Sequence, residues 1–317
     1  MCKYIDIPII IVHKGDSFYL SPVLKQIRLF NPDSHIYLLS DDSTSHYKNV
    51  IHRNVSDYSD GANMFKKVYS HMSINPYDYE LFCFQRWFII RDFVKKEKLD
   101  YFLCLDSDVL LYCNVNEVFS KFIDYDFTIC KVMGPCFSLF KSSSIEKLCS
   151  YMTSLYTDKN HFSRLVSFYD TVKGIGGVCD MTALTWYQQD VSDNVLDLIH
   201  PVNGACFDGN ISDPMGFEML NRRKRIYWKN DLPYGLYLAT NTYVKFYGLH
   251  LQGGAKHDIY KYILDENKKH RITIMNFLKW KFSYKRLLCR YNEVKKMFSS
   301  YNMFWLMINN KFKIKQK

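Results

Sequence analysis

An alternation near the start of the chain constrains its fold most. Residues 7–12 form a near-continuous apolar run bounded by Asp6 and Lys14. Such a run predicts a strand buried on both faces, as in a parallel sheet. Residues 17–30 follow with Leu20, Val23, Leu24 and Ile27 at helical spacing, and Asn31-Pro32 ends them. Residues 36–39 predict a second strand closed by Ser40-Asp41-Asp42, and residues 50–55 a third. A β-α-β series of this kind implies an α/β fold with a doubly wound sheet and right-handed crossovers. Further on, residues 81–98 predict a helix with Trp87, Ile90, Phe93 and Val94 on one side, and Tyr101–Leu105 predicts another strand. Asp106-Ser107-Asp108 stands at the end of that strand, outside the core. Ligands in open α/β sheets bind beyond the carboxyl ends of the strands. After Phe119 the periodicity weakens, and residues 174–177 read as a flexible turn.

Composition sets outer bounds. The ten cysteines include no C-x-x-C pair, which argues against a zinc or redox site and for a reducing compartment, with free thiols as small hydrophobes. No run reaches about 18 apolar residues, so no transmembrane helix is expected; residues 7–12 are too short and lack the basic flank of a targeting segment. The formal charge is +10, but residues 268–317 hold 14 basic side chains and one acid, leaving 28 basic and 31 acidic residues elsewhere. Two units follow, a catalytic domain over 1–267 and a basic aromatic tail over 268–317. The tail sets Trp280, Phe282, Tyr284, Phe304 and Trp305 among its cations. That is the make-up of a helix lying on an anionic membrane surface rather than of a nucleic-acid patch.

Two constellations can carry chemistry. Asp106 and Asp108, two positions apart, turn to the same side, and their like charges call for a divalent cation or a set of donors. Carboxylates suit Mg²⁺ or Mn²⁺, with donor phosphates completing the coordination. His250-x-x-Gly253-x-x-Lys256 is the second. The imidazole can join a carboxylate metal site and tilts it toward Mn²⁺, the glycine admits close backbone approach to a phosphate, and the lysine places a charge for a pyrophosphate. Asp180 reads either as a site carboxylate, including a general base for an acceptor hydroxyl, or as a helix N-cap before Met181-Thr182.

Together these residues resemble the glycosyltransferases of GT-A fold, most closely family 8, over roughly residues 5–261. In that family an arginine-bearing helix precedes a strand ending in D-x-D, and H-x-x-G-x-x-K occurs late in the domain. The matching positions are Arg86, Asp106 with Asp108, and His250, Gly253 and Lys256. His257-Asp258 follow Lys256 where the family has Pro-Trp, and Asp180-Met181-Thr182 stands where the family has Asp-Gln-Asp. The resemblance implies a GT-A-type mixed sheet and a metal held by Asp106, Asp108 and His250. It implies a UDP-sugar donor contacted by Asp16 and Tyr19 (base and ribose), Arg86, Asp106, Gly253 and Lys256, and Asp180 at the donor sugar. It further implies hexose transfer, with the family's retention of configuration, to a glycan or lipid-linked acceptor in bacterial lipopolysaccharide or capsule assembly. The setting would be the cytoplasm, peripheral to the inner membrane. Two alternatives stay open. Asp106-Ser107-Asp108-Val109 also fits a haloacid-dehalogenase-type phosphohydrolase with Asp106 as nucleophile, and the chain could be a non-catalytic membrane-binding module.

Overall fold

A computed structural model describes residues 6–264 except 42, 43, 45, 46, 131–133 and 193. The tail from residue 268 and the domain limit at 267 lie outside the described residues. In chain order, β1 (Ile9–His13), α1 (Leu20–Phe30), β2 (Ile36–Ser40) and β3 (Ile51–Asn54) form the expected opening alternation. Then come α2 (Asp60–Lys66), α3 (Tyr77–Glu97), β4 (Tyr101–Leu105), β5 (Val109–Leu111) and α4 (Val115–Phe119). The region after Phe119, weakly patterned in sequence, holds β6 (Phe127–Ile129), β7 (Phe137–Lys141), α5 (Ser142–Thr157), α6 (Lys159–Val172), α7 (Asp180–Asp190) and β8 (Val195–Asp197). The last part is β9 (Ala205–Asp208), β10 (Met219–Leu220), β11 (Arg223–Lys224), β12 (Tyr227–Lys229), β13 (Leu232–Tyr237), β14 (Thr242–His250) and a 3₁₀ segment, Gly253–Lys261.

Seven strands form one sheet in the order β3-β2-β1-β4-β7-β6-β8. β1, β2, β3 and β4 run parallel, while β7 is antiparallel to both β4 and β6, so the sheet is mixed. The inner strands β1, β2 and β4 are covered on both faces, which explains their near-unbroken apolar runs, whereas the edge strands β3 and β8 are half-buried. Ile9, Ile11, Leu103 and Leu105 enter one core with α1, whereas Ile10, Leu39, Phe102 and Cys104 enter the other with α3, α5 and α7. The period of two along each strand is what divides the residues between the cores.

The second sheet is antiparallel at its centre, β12-β13-β14-β5, with β9 parallel to β14. β5 begins directly after Asp108, so the chain leaves the first sheet at β4 and enters the second within the acidic turn. From β1 the order runs outward to β3 on one side and to β4 on the other. That reversal is a topological switch point, and the turn lies at its carboxyl end. Among the described residues no helix is long and apolar enough to cross a membrane.

Candidate active site

The acidic turn is closed by backbone bonds. Val109 N–H donates to Asp106 O at 3.2 Å, and Leu251 N–H donates to Asp108 O at 3.0 Å. In the register of β14 against β5, His250 lies opposite Val109. The late histidine is thereby delivered to the early acids. Its Nε2 lies 3.3 Å from Asp108 Oδ1 and 3.9 Å from Asp106 Oδ2. Ligand atoms of Asp106, Asp108 and His250 all fall within 4.8 Å of one another. The donor set, two carboxylates and an imidazole, fits a divalent cation of Mn²⁺ or Mg²⁺ type.

The imidazole tautomer is dictated. His250 Nδ1 is 2.7 Å from Gly209 O. A carbonyl only accepts, so Nδ1 carries the proton and Nε2 turns its lone pair, when the ring is neutral, toward the acids. Burial works against the imidazolium, yet Cys136 and Asp108 carry His250 well above its ordinary value. Burial also pushes the Cys136 thiol well up, so Cys136 is uncharged near neutral pH and Asp108 is the charge that matters.

Asp108 is buried, contrary to the expectation of an acid lying outside the core. The reason is that the turn sits between two sheets rather than at the rim of one. Burial opposes the Asp108 carboxylate, but Lys256 and His250 outweigh it and hold the group below the usual carboxylate range. Lys256 Nζ is 3.0 Å from Asp108 Oδ2 and 5.2 Å from the centre of the Tyr19 ring. Burial disfavours its ammonium, and the Asp108 charge more than compensates, pushing it up to about 12. Gly253 has φ +60°, the left-handed region open to glycine, and starts the 3₁₀ segment that carries Lys256.

Asp106 is held from the other side. Arg86, midway along α3, donates from one terminal nitrogen to Asp106 Oδ1 at 2.7 Å and from the other to Asp180 Oδ2 at 2.8 Å. Trp87 Nε1–H donates to the same Asp180 oxygen at 3.0 Å. Asp180 is the first residue of α7 and Cys179 is the N-cap, so the capping alternative for Asp180 does not hold. The Asp180 side chain is buried against Arg86 and Trp87. Both terminal nitrogens of Arg86 are engaged by carboxylates in this arrangement.

The remaining sequence-selected residues, Asp16 and Tyr19, lie between β1 and α1. Asp16 Oδ1 accepts from Tyr47 O–H at 2.9 Å. Tyr19 packs edge-on to His13, whose ring nitrogens lie 3.0 Å from Ser107 Oγ and 3.1 Å from Ser17 Oγ. Sequence reasoning missed His13, Trp87, Asp208, Gly209 and Lys224. His13 could have been found as the polar residue ending β1 at the switch point; the others carry no local signal. Beside His13 a cavity of about 170 Å³ is lined by Lys14, Asp41, Asn63, Phe82 and Gln85 among others.

No known family profile matches the sequence, and no curated protein does. Solved structures to which the chain is similar include three glycosyltransferases. Mouse xyloside xylosyltransferase 1, in its apo form, is 11% identical over 61% of this chain and 85% of its own, with a TM-score of 0.43. LgtC, a galactosyltransferase solved with donor and acceptor sugar analogues, is 14% identical over 82% of this chain and 98% of its own, at 0.40. WbbM, a bifunctional glycosyltransferase, is 12% identical over 82% of this chain and 50% of its own, at 0.46.

Proposed function

We propose that this chain is a GT-A-type glycosyltransferase, most like family 8, that transfers a hexose from a UDP-sugar to a glycan or lipid-linked acceptor. The observation that carries the reading is the convergence of Asp106, Asp108 and His250 at the switch point, with Lys256 on Asp108. Two elements more than 140 residues apart in sequence meet there, and a solvated surface turn would not need them. Asp106, Asp108 and His250 would hold Mn²⁺ or Mg²⁺, which when bound supplies charge neutralisation to the departing diphosphate.

The chain's own residues do the rest. Lys256 presents a fixed positive charge toward the diphosphate, and Gly253 admits its backbone to the phosphate oxygens. Arg86 braces Asp106 and Asp180 together and adds positive charge to the same wall. With Asp180 Oδ2 bound to Arg86 and Trp87, its Oδ1 serves the sugar or acceptor hydroxyl. Asp16 and Tyr19 flank the nucleoside, and the cavity beside His13 takes the base. The tail from 268 docks the enzyme on anionic lipid at the cytoplasmic face of the inner membrane, a setting suited to lipopolysaccharide or capsule assembly.

The test is a turnover assay on purified protein. UDP-sugars should be hydrolysed slowly with Mn²⁺ and not after chelation. Cleavage of simple phosphomonoesters instead would favour the phosphohydrolase alternative, and neither activity would favour a binding module.

A further inference from the structure

Lys224, on β11, is 2% exposed. An ammonium out of water must satisfy all three of its donors. It does so, binding Asp208 Oδ1 at 2.7 Å, Asn210 O at 2.7 Å and Asp213 O at 2.5 Å. Asp208 is equally buried, at 1%. A buried ion pair is a weak device for stability, since apolar groups of the same shape often do as well. What this one does is draw residues 208–213 into a closed loop around a single nitrogen.

The other side of that loop is His250. Asp208 Oδ2 accepts from His250 N–H at 3.2 Å, Gly209 O accepts from Nδ1–H at 2.7 Å, and Ile211 N–H donates to His250 O at 3.0 Å. Asn210 Nδ2 donates to Gln252 Oε1 at 2.9 Å, two residues further on. The loop thus binds the backbone N–H, the backbone carbonyl and Nδ1 of His250, and only Nε2 is left to face Asp106 and Asp108. We infer that Lys224 is a positioning residue of the metal centre. Acting through Asp208 and Gly209, it fixes the ring orientation and tautomer in which His250 presents Nε2 to the cation.

The inference rests on the reading of His250 as a metal ligand. It differs from a purely structural role in what it moves: the partners that orient a metal-binding histidine typically change metal affinity by about 10–100-fold when lost. Removing the lysine alone strands a buried carboxylate and can abolish folding, so the test uses K224M combined with D208N in the full chain, which deletes both charges. K224Q, which keeps a donor toward Asp208, serves as the milder second variant. Two readouts are needed: Mn²⁺ affinity by titration, and the ¹⁵N signals of the His250 ring without metal at a pH alkaline enough for the ring to be neutral, where the two tautomers differ.

The expected result is a folded protein in which the Nδ1–H form of His250 gives way to a mixture of tautomers. Its Mn²⁺ dissociation constant should rise about 10–100-fold, with K224Q intermediate. A folded variant with unchanged tautomer and unchanged affinity overturns the inference. If the wild-type chain binds no Mn²⁺, the metal reading itself fails. In that case the His250 ring signals still decide whether Lys224 positions the ring.

Discussion

Two regions meet at the acidic turn, and they are built on different principles. The amino-terminal region is a mixed sheet, parallel from β3 to β4, with helices on both faces, and the groups it brings to the site are tied to one another: Asp106 and Asp180 share Arg86. The carboxy-terminal region is an antiparallel meander with left-handed asparagines at positions 203, 221, 230 and 241. It contributes His250 and Lys256, and it sets His250 through the loop over Asp208 and Gly209. The contrast shows in the two acids. The Asp106 side chain, on the amino-terminal side, keeps 22% of its exposure, and Asp108, clasped by the other region, keeps 8%. Strand ends place carboxylates directly, whereas the cationic groups depend on a network.

The largest break of this contrast is Asp108→Ala, which removes the acid that His250 and Lys256 share. Donor turnover should fall by at least about 10²–10³-fold, as when a group stabilising transition-state charge is lost. Because His250 and Lys256 lose their nearest anion and keep only the more distant Asp106, stability should fall by about 3 kcal/mol, a low value for a buried pair since Asp106 remains and Lys256 retains some solvent contact. Urea unfolding and a turnover assay read both; an unchanged turnover would remove the metal-site reading.

The next test is confined to the amino-terminal region. Burial raises the Glu80 carboxyl on α3 to about 7, against hydrogen bonds from Asn75 and Ser73 that favour the charged form. A raised acid binds more protons folded than unfolded. Its contribution is therefore fully present below the ordinary value of 4.5 and is lost as pH rises through about 7. That loss amounts to roughly 3 kcal/mol. Glu80→Gln should flatten the stability profile between those limits. Parallel profiles for the two proteins would show that Glu80 is not raised.

A smaller effect is expected at the seam between the sheets. Gly248, on β14, lies where an added Cβ would come within 2.2 Å of the Phe137 ring. Phe137 is fully buried, so Gly248→Ala should cost about 1–3 kcal/mol through overpacking. Calorimetry showing no loss would mean that the seam has room for a methyl group. The smallest expected effect is on donor hydrolysis after truncation at residue 268. Hydrolysis should be nearly unchanged, while co-sedimentation with anionic vesicles should drop, more so at low salt where the attraction is least screened. Loss of hydrolysis would instead mean that the tail packs on the catalytic unit.

The same contrast governs what could be read in the sequence. The opening strands, α3 and β4 were legible because a strand covered on both faces is apolar throughout and α3 repeats at helical spacing. Tyr101–Leu105 was placed to the residue. The region from 120 to 190 was not, although α5, α6 and α7 lie there. α7 is nearly surrounded, with Asp180, Thr182, Ala183, Leu184, Trp186 and Tyr187 all buried, so it shows no polar face to mark its period. Asp106, Asp108, His250 and Lys256 were legible as motifs. Lys224 and Asp208 were not, because a buried ion pair 16 positions apart in the chain looks, residue by residue, like two ordinary surface charges.

The central claim is that Asp106, Asp108 and His250 form one metal centre. Titration of Mn²⁺ in the presence of UDP, followed by electron paramagnetic resonance, on the wild-type chain and on His250→Ala tests it most directly. Binding to the wild type should be saturable and binding to a folded variant at least about tenfold weaker, the loss expected when a centre gives up its imidazole. Equal Mn²⁺ affinity in the two proteins, both folded, would contradict it.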